Sequence, residues 1–121
     1  MPDSSTEIKD GALILRQLRE SGRICLALHG ELDLANAATL ETSLGEALAS
    51  GDEVVVDLAK LEFLDSTGIA LLVSVLQSPG AERLSFLPSE STEVHRLLTM
   101  TGLEERLGFD RSASHTTQPA A

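Results

Sequence analysis

The chain has 121 residues, 42% of them hydrophobic, and a formal net charge of −10. This length suits one domain. The acidic balance argues against binding to nucleic acid or to an anionic membrane surface, because both are held through Lys and Arg. The start of the chain lacks the apolar core of a signal peptide. No apolar run reaches the ~18 residues of a membrane span, so a cytoplasmic protein is expected.

The first elements in chain order are a polar segment and a pair of strands. Residues 1–10 carry little apolar pattern and predict a flexible N-terminal segment. Apolar runs at 12–18 and 24–28 flank a Gly-containing turn, which is typical of a β-hairpin. Cys25 lies in the second run and is the single cysteine. It cannot form an internal disulfide and is predicted to be a small buried hydrophobe, with any redox role left open.

A helix and a central strand follow the hairpin. Apolar residues then recur at spacings of three and four, which predicts one face of a helix; they are Ala37, Leu40, Leu44, Ala47 and Leu48. Asp33 or Asn36 is the expected N-cap of this helix. The run Val54-Val55-Val56 is β-branched and apolar on both faces, as in a central parallel strand.

The second half of the chain repeats the alternation of helix and strand. A second helix is predicted from the spacing of Ile69, Leu72, Val73 and Leu76. A strand at 84–87 and a third helix ending near Gly102 follow. Residues 103–109 fit a short helix and then a final strand, and 112–121 form a tail that is expected to be flexible. The predicted class is α/β: one domain over 11–111, with a mixed sheet of four to five strands flanked by helices.

Catalytic and metal-binding patterns are not evident in the sequence. His29, His95 and His115 are far apart, and none has the spacing of an HExxH site. The chain contains no GxSxG, Walker or GxGxxG motif. We therefore expect no catalytic residues, no metal and no cofactor. A nucleotide-binding or hydrolytic enzyme is supported only by analogy with other α/β folds.

The tetrapeptide Asp65-Ser66-Thr67-Gly68 is the strongest candidate site. Alone it favours an ordinary helix N-cap. However, it follows a buried strand and opens the most apolar helix, and functional groups gather at the carboxyl ends of strands in α/β sheets. A helix N-terminus also tolerates the −1.5 to −2 charges of a phosphate. Ser66 is therefore predicted to be a phosphorylation site that changes the surface offered to a partner.

The surrounding pattern resembles a known family, the STAS-domain anti-sigma factor antagonists, also called anti-anti-sigma factors. The resemblance covers about residues 12–111. The elements that carry it are Gly30-Glu31-Leu32-Asp33, Val54-Val55-Val56-Asp57-Leu58, Phe63-Leu64-Asp65-Ser66-Thr67-Gly68-Ile69, Arg96-Leu97-Leu98 and Thr101-Gly102-Leu103. Each element is weak alone, but the set in this order and spacing is specific.

The resemblance implies a partner-switching mechanism. The unphosphorylated protein would bind an anti-sigma factor that is also a serine/threonine kinase, and so free a sigma factor. Phosphorylation of Ser66, with Thr67 as second choice, would break that complex, and a serine phosphatase would reverse it. Asp33, Asp65, Ser66, Thr67 and Gly68 are the expected partner-binding residues. The alternative is a STAS subunit of a stress-signalling scaffold or of a lipid-transport complex, which the intact motif makes less favoured.

Overall fold

A computed structural model describes residues 4–108, which form one five-stranded sheet and four α-helices. The strands are β1 (Ser4–Asp10), β2 (Leu13–Glu20), β3 (Arg23–Leu32), β4 (Glu53–Leu64) and β5 (Leu84–Leu87). The helices are α1 (Ala37–Ala49), α2 (Ser66–Val75), α3 (Thr92–Met100) and α4 (Leu103–Leu107). None of the helices in this part of the chain is long and apolar enough to cross a membrane.

The sheet is mixed, with its strands in sequential order from β1 to β5. β1, β2 and β3 are antiparallel neighbours, whereas β3, β4 and β5 run parallel. Ser21 and Gly22 both have positive φ, at +50° and +77°, and join β2 to β3 in a tight turn. Such turns match the twist of paired strands. The hairpin, the α/β class and the central position of the Val54-Val55-Val56 strand are all confirmed.

The helices cover one face of the sheet. Two consecutive crossovers, β3-α1-β4 and β4-α2-β5, move in the same direction along the sheet, and right-handed crossovers then place both helices on one face. One apolar cluster accordingly contains Val54 and Val56 together with buried residues from all four helices. The side chains of Cys25, Ala27 and Asp57 alternate with the inward-facing residues and are only half-buried. The expectation that Cys25 lies in the core is therefore wrong.

The start of the chain differs from the sequence prediction. Residues 4–10, expected to be flexible, form β1, which pairs with β2 from Ser4 opposite Arg19 to Asp10 opposite Leu13. The prediction failed because backbone hydrogen bonds, rather than a buried apolar face, hold this exposed edge strand. At the other end, a short helix at 103–107 is present, while the predicted final strand and the tail 112–121 lie outside the described residues.

The second helix is present, but its buried stripe is displaced by one position. Gly68, Leu71, Leu72 and Val75 are its buried residues. Ile69, Val73 and Leu76 are partly buried against the same core. Because the stripe begins at Gly68, the exposed side of the first turn carries Ser66.

Candidate phosphorylation site

The carboxyl ends of β3 and β4 bring two loops together. Leu32 and Leu64 are register partners at the ends of these parallel strands. The Asp65 N–H donates to the Leu32 carbonyl oxygen at 3.1 Å, which extends the pairing by one residue. The loop at 33–36 and the start of α2 are therefore neighbours.

Asp65 uses both carboxylate oxygens. Its Oδ1 accepts a hydrogen bond from the Gly68 N–H at 3.0 Å and so caps α2, and its Oδ2 accepts one from the Leu34 N–H at 3.1 Å. One side chain thus joins the start of α2 to the loop after β3. The predicted cap is confirmed, but its second bond could not be read from the sequence because the partner lies 31 residues away.

The two hydroxyl residues differ in exposure. Ser66 is the first residue of α2 and is exposed, whereas Thr67 is half-buried. Gly68 is buried against β3, and a Cβ at this position would lie 3.1 Å from both the Cγ and the carbonyl oxygen of Leu32. The N–H groups of the first two helical residues have no intrahelical acceptor. An anion on Ser66 would therefore lie at the positive end of the helix dipole.

Asn36 fixes the neighbouring loop, a role that sequence reasoning missed. Its side chain is fully buried. Oδ1 accepts from the Asp33 N–H at 2.9 Å, and Nδ2 donates to the carbonyl oxygens of Glu31 at 3.0 Å and Asp10 at 3.3 Å. Asn36 occupies the N-cap position of α1 but makes no side-chain cap bond, so its predicted capping role is wrong. Its partners are main-chain atoms, which leave no mark in the sequence.

The surface around Ser66 combines apolar and acidic groups. Leu34 is 76% exposed and Phe63, which is paired with Glu31, is 38% exposed. Two carboxylates adjoin this surface: Asp65 precedes Ser66 in sequence, and Asp33 lies in the loop that Asp65 Oδ2 binds. A cleft of about 500 Å³ lies elsewhere, toward the C-terminal ends of α1 and α2, and none of residues 65–68 lines it. Ser66 is itself exposed, which suits a protein partner better than an enclosed small ligand.

The two described histidines, His29 and His95, make no hydrogen bond or ion pair with residues 65–68. His29 is exposed in β3, next to a register shift in the pairing with β4, and His95 contacts Glu104 through Nδ1 at 3.0 Å between α3 and α4. His115 lies outside the described residues. Across residues 4–108, no group of three or more His, Cys, Asp or Glu side chains is arranged to hold a metal ion.

Fold and site together define a small α/β domain that displays a serine at a helix N-terminus beside a fixed acidic loop. The model of the STAS domain family matches residues 6–116, and the chain belongs to that family. Its curated relatives include the anti-sigma-F factor antagonist RsfB of Mycobacterium tuberculosis. RsfB is 30% identical over 86 residues, which cover 70% of each chain.

Solved structures show the same fold. An anti-sigma factor antagonist from Mycobacterium paratuberculosis has a TM-score of 0.70 and 25% identity, over 92% of this chain and 89% of that one. Unphosphorylated SpoIIAA has a TM-score of 0.62 and 17% identity, over 75% of this chain and 83% of that one. The phosphorylated form of SpoIIAA from Bacillus has a TM-score of 0.54 and 17% identity, over 75% of this chain and 86% of that one. At that identity, the SpoIIAA likeness shows the fold alone.

Proposed function

We propose that this protein is an anti-sigma factor antagonist whose unphosphorylated form binds an anti-sigma factor, and that phosphorylation of Ser66 ends this binding. The observation that carries the proposal is the exposed Ser66 on a helix N-terminus that Asp65 fixes to the neighbouring loop. The relatives described as anti-sigma factor antagonists support the same conclusion. The anti-sigma factor then acts as the serine/threonine kinase, a serine phosphatase restores the hydroxyl, and the exchange takes place in the cytoplasm.

Phosphate on Ser66 suits a switch because it changes the surface more than the fold. The phosphate gains from the helix N-terminus that carries it. It also brings about −1.5 to −2 charges to a surface that already holds Asp65 and Asp33. A partner surface packed against a neutral hydroxyl would have to desolvate those charges without a matching group, which costs binding free energy.

The phosphoacceptor is tested with single hydroxyl variants. Each kinase-type anti-sigma factor encoded in the same genome is purified and incubated with ATP and the wild-type chain, Ser66→Ala or Thr67→Ala. We expect one kinase to label the wild type and Thr67→Ala, but not Ser66→Ala. Full labelling of Ser66→Ala would exclude Ser66 as the acceptor.

The switch itself is tested by binding. Isothermal titration calorimetry measures binding of the same anti-sigma factor to the unphosphorylated and the phosphorylated protein. The unphosphorylated form should bind much more tightly, or be the one form that binds. Equal affinity of the two forms, or no binding by the unphosphorylated form, would contradict the proposed function.

A further inference from the structure

Leu34 is a large apolar side chain that is exposed beside the candidate site. Its exposed fraction is 76%, and that of Met100 at the end of α3 is 75%. A single exposed leucine is ordinary on a protein surface. Exposure alone therefore does not distinguish Leu34 from Met100, and the distinction comes from how the two residues are held.

The loop that carries Leu34 is fixed by side chains. Three successive backbone N–H groups each donate to a different side-chain acceptor: Asp33 to Asn36 Oδ1, Leu34 to Asp65 Oδ2, and Ala35 to Asp33 Oδ1, at 2.9, 3.1 and 3.0 Å. A rigid loop loses little conformational entropy when it docks. The backbone at Leu34 is thus held in place before a partner binds, which lowers the entropic cost of using its side chain as an anchor.

The same carboxylate positions Leu34 and Ser66. Asp65 binds the Leu34 N–H with one oxygen and caps the helix that begins at Ser66 with the other. A partner that recognises the Ser66 hydroxyl therefore meets Leu34 in a fixed relation to it. Asp33 directly precedes Leu34 in sequence, and Asp65 accepts a hydrogen bond from the Leu34 N–H, so two carboxylates lie beside Leu34.

We propose that Leu34 is the apolar anchor of this surface and inserts into an apolar pocket of the anti-sigma factor that basic side chains border. Asp65 is the positioning residue that holds it there. This inference rests on the proposed function and identifies Leu34 as the residue that supplies affinity for the anti-sigma factor. The acidic neighbours of Leu34 are the reason for expecting a basic border on the partner.

The anchor is tested by a matched pair of truncations, Leu34→Ala and Met100→Ala, which remove side chains of nearly equal exposure. The probe is the anti-sigma factor that labels Ser66 in the kinase experiment. Leu34→Ala should weaken binding at least about tenfold, and Met100→Ala by less than about twofold, because truncation of an anchor costs far more than loss of a peripheral contact. An unchanged thermal midpoint would show that Leu34→Ala is folded.

The outcomes separate the inference from the proposed function. If the wild type binds and Leu34→Ala binds equally well, the anchor is wrong and the proposed function stands. If the wild type does not bind, both fail. Binding that is equally tight at low and high salt would contradict the basic border, since attraction between exposed charges is screened.

The positioning role is tested with Asp65→Ser. A serine can still cap α2 through one oxygen but is too short to supply the second bond to Leu34. Amide hydrogen exchange should become severalfold faster at Leu34 while α2 keeps its protection, and affinity should fall with it. Unchanged exchange at Leu34, or unchanged affinity despite faster exchange, would overturn this role.

Discussion

At the scale of single residues, Asn36 holds the site together from inside. It is fully buried and makes three hydrogen bonds to the main chain of residues 10, 31 and 33. Nothing in the sequence marks this residue except that asparagine favours turns and caps. The loop beside Ser66 thus depends on a residue that has no exposed surface.

Replacement of Asn36 by Ala should lower the free energy of unfolding by about 2–3 kcal/mol, because it leaves a buried donor and buried acceptors unpaired. Asn36→Asp is the matched variant of similar shape. The new carboxylate faces two carbonyl oxygens, so Asn36→Asp should lower the free energy of unfolding by at least as much at neutral pH. This decrease should become smaller as acid protonates the carboxyl. Urea unfolding of both variants against wild type measures this. A loss below about 0.5 kcal/mol, typical of surface positions, would contradict the assigned role.

Cys25 belongs to the other face of the sheet and is half-buried there. Burial raises the pKa of its thiol, the negative charge of Asp57 raises the pKa further, and Arg23 lowers it. Since only the thiolate reacts readily, Cys25 should be a slow thiol at neutral pH.

The sign of these effects can be tested by alkylation with iodoacetamide as a function of pH. The pH at which the alkylation rate reaches half its maximum should be higher for the folded protein than for the urea-unfolded protein. Asp57→Asn should lower the pKa and move the profile to lower pH, and Arg23→Gln should move it to higher pH. If both variants moved the pH profile in the same direction, or if neither moved it, this account of the Cys25 pKa would be wrong.

At the scale of elements, the start of α2 is fixed by close packing on β3. A Cβ at Gly68 would lie within 3.1 Å of Leu32, which is closer than an ordinary contact, whereas Gly45 on the exposed side of α1 has nothing within 4 Å of such an atom. Both glycines are helical, so the two positions separate packing from helix propensity.

Gly45→Ala should stabilise the protein by about 0.5–1 kcal/mol, as alanine does in place of glycine within a helix. Gly68→Ala gains the same propensity but forces Leu32 to move, and we expect a net loss of about 1–2 kcal/mol. Chemical denaturation of both variants gives the comparison. If both substitutions stabilised the protein, Leu32 would have room to move away from a Cβ at position 68, and close packing would not fix the first turn of α2.

The elements also show what a sequence can predict. α1 and the Val54–Val56 strand were predicted because burial dictates their pattern. β1 was missed because its side chains are exposed and its pairing uses only the backbone. The stripe of α2 was displaced by one position because Gly68 contributes close packing rather than apolar surface. Asp65 was predicted as a cap, but its bond to Leu34 required the three-dimensional structure.

At the scale of the whole molecule, the topology brings the site together. β3 and β4 are adjacent and parallel, so their carboxyl ends lie at the same edge of the sheet. The loops that follow them, one with Asp33 and Leu34 and the other with Asp65 and Ser66, therefore meet without any long connection. The helices pack on one face below this edge, and Ser66 is exposed and is not part of the apolar cluster of the domain.

This separation of site and core predicts that phosphorylation leaves the fold intact. A phosphate at the first turn of α2 gains about 0.3–1 kcal/mol from the helix dipole. Repulsion between the phosphate and the Asp65 carboxylate opposes this gain with a free energy of similar size, because both charges are solvated and screened. The free energy of unfolding should then change by less than about 1 kcal/mol, which corresponds to a few degrees in the thermal midpoint of a domain this size.

Urea and thermal unfolding of the phosphorylated and unphosphorylated protein, at low and high salt, measure the change directly. Ser66→Ala serves as the control for loss of the hydroxyl alone and should also remain near wild type. A loss above about 3 kcal/mol on phosphorylation, but not in Ser66→Ala, would mean that the phosphate disrupts the start of α2, since single changes of that size reflect broken buried structure. The switch would then act by local unfolding rather than by changing the charge of an intact surface.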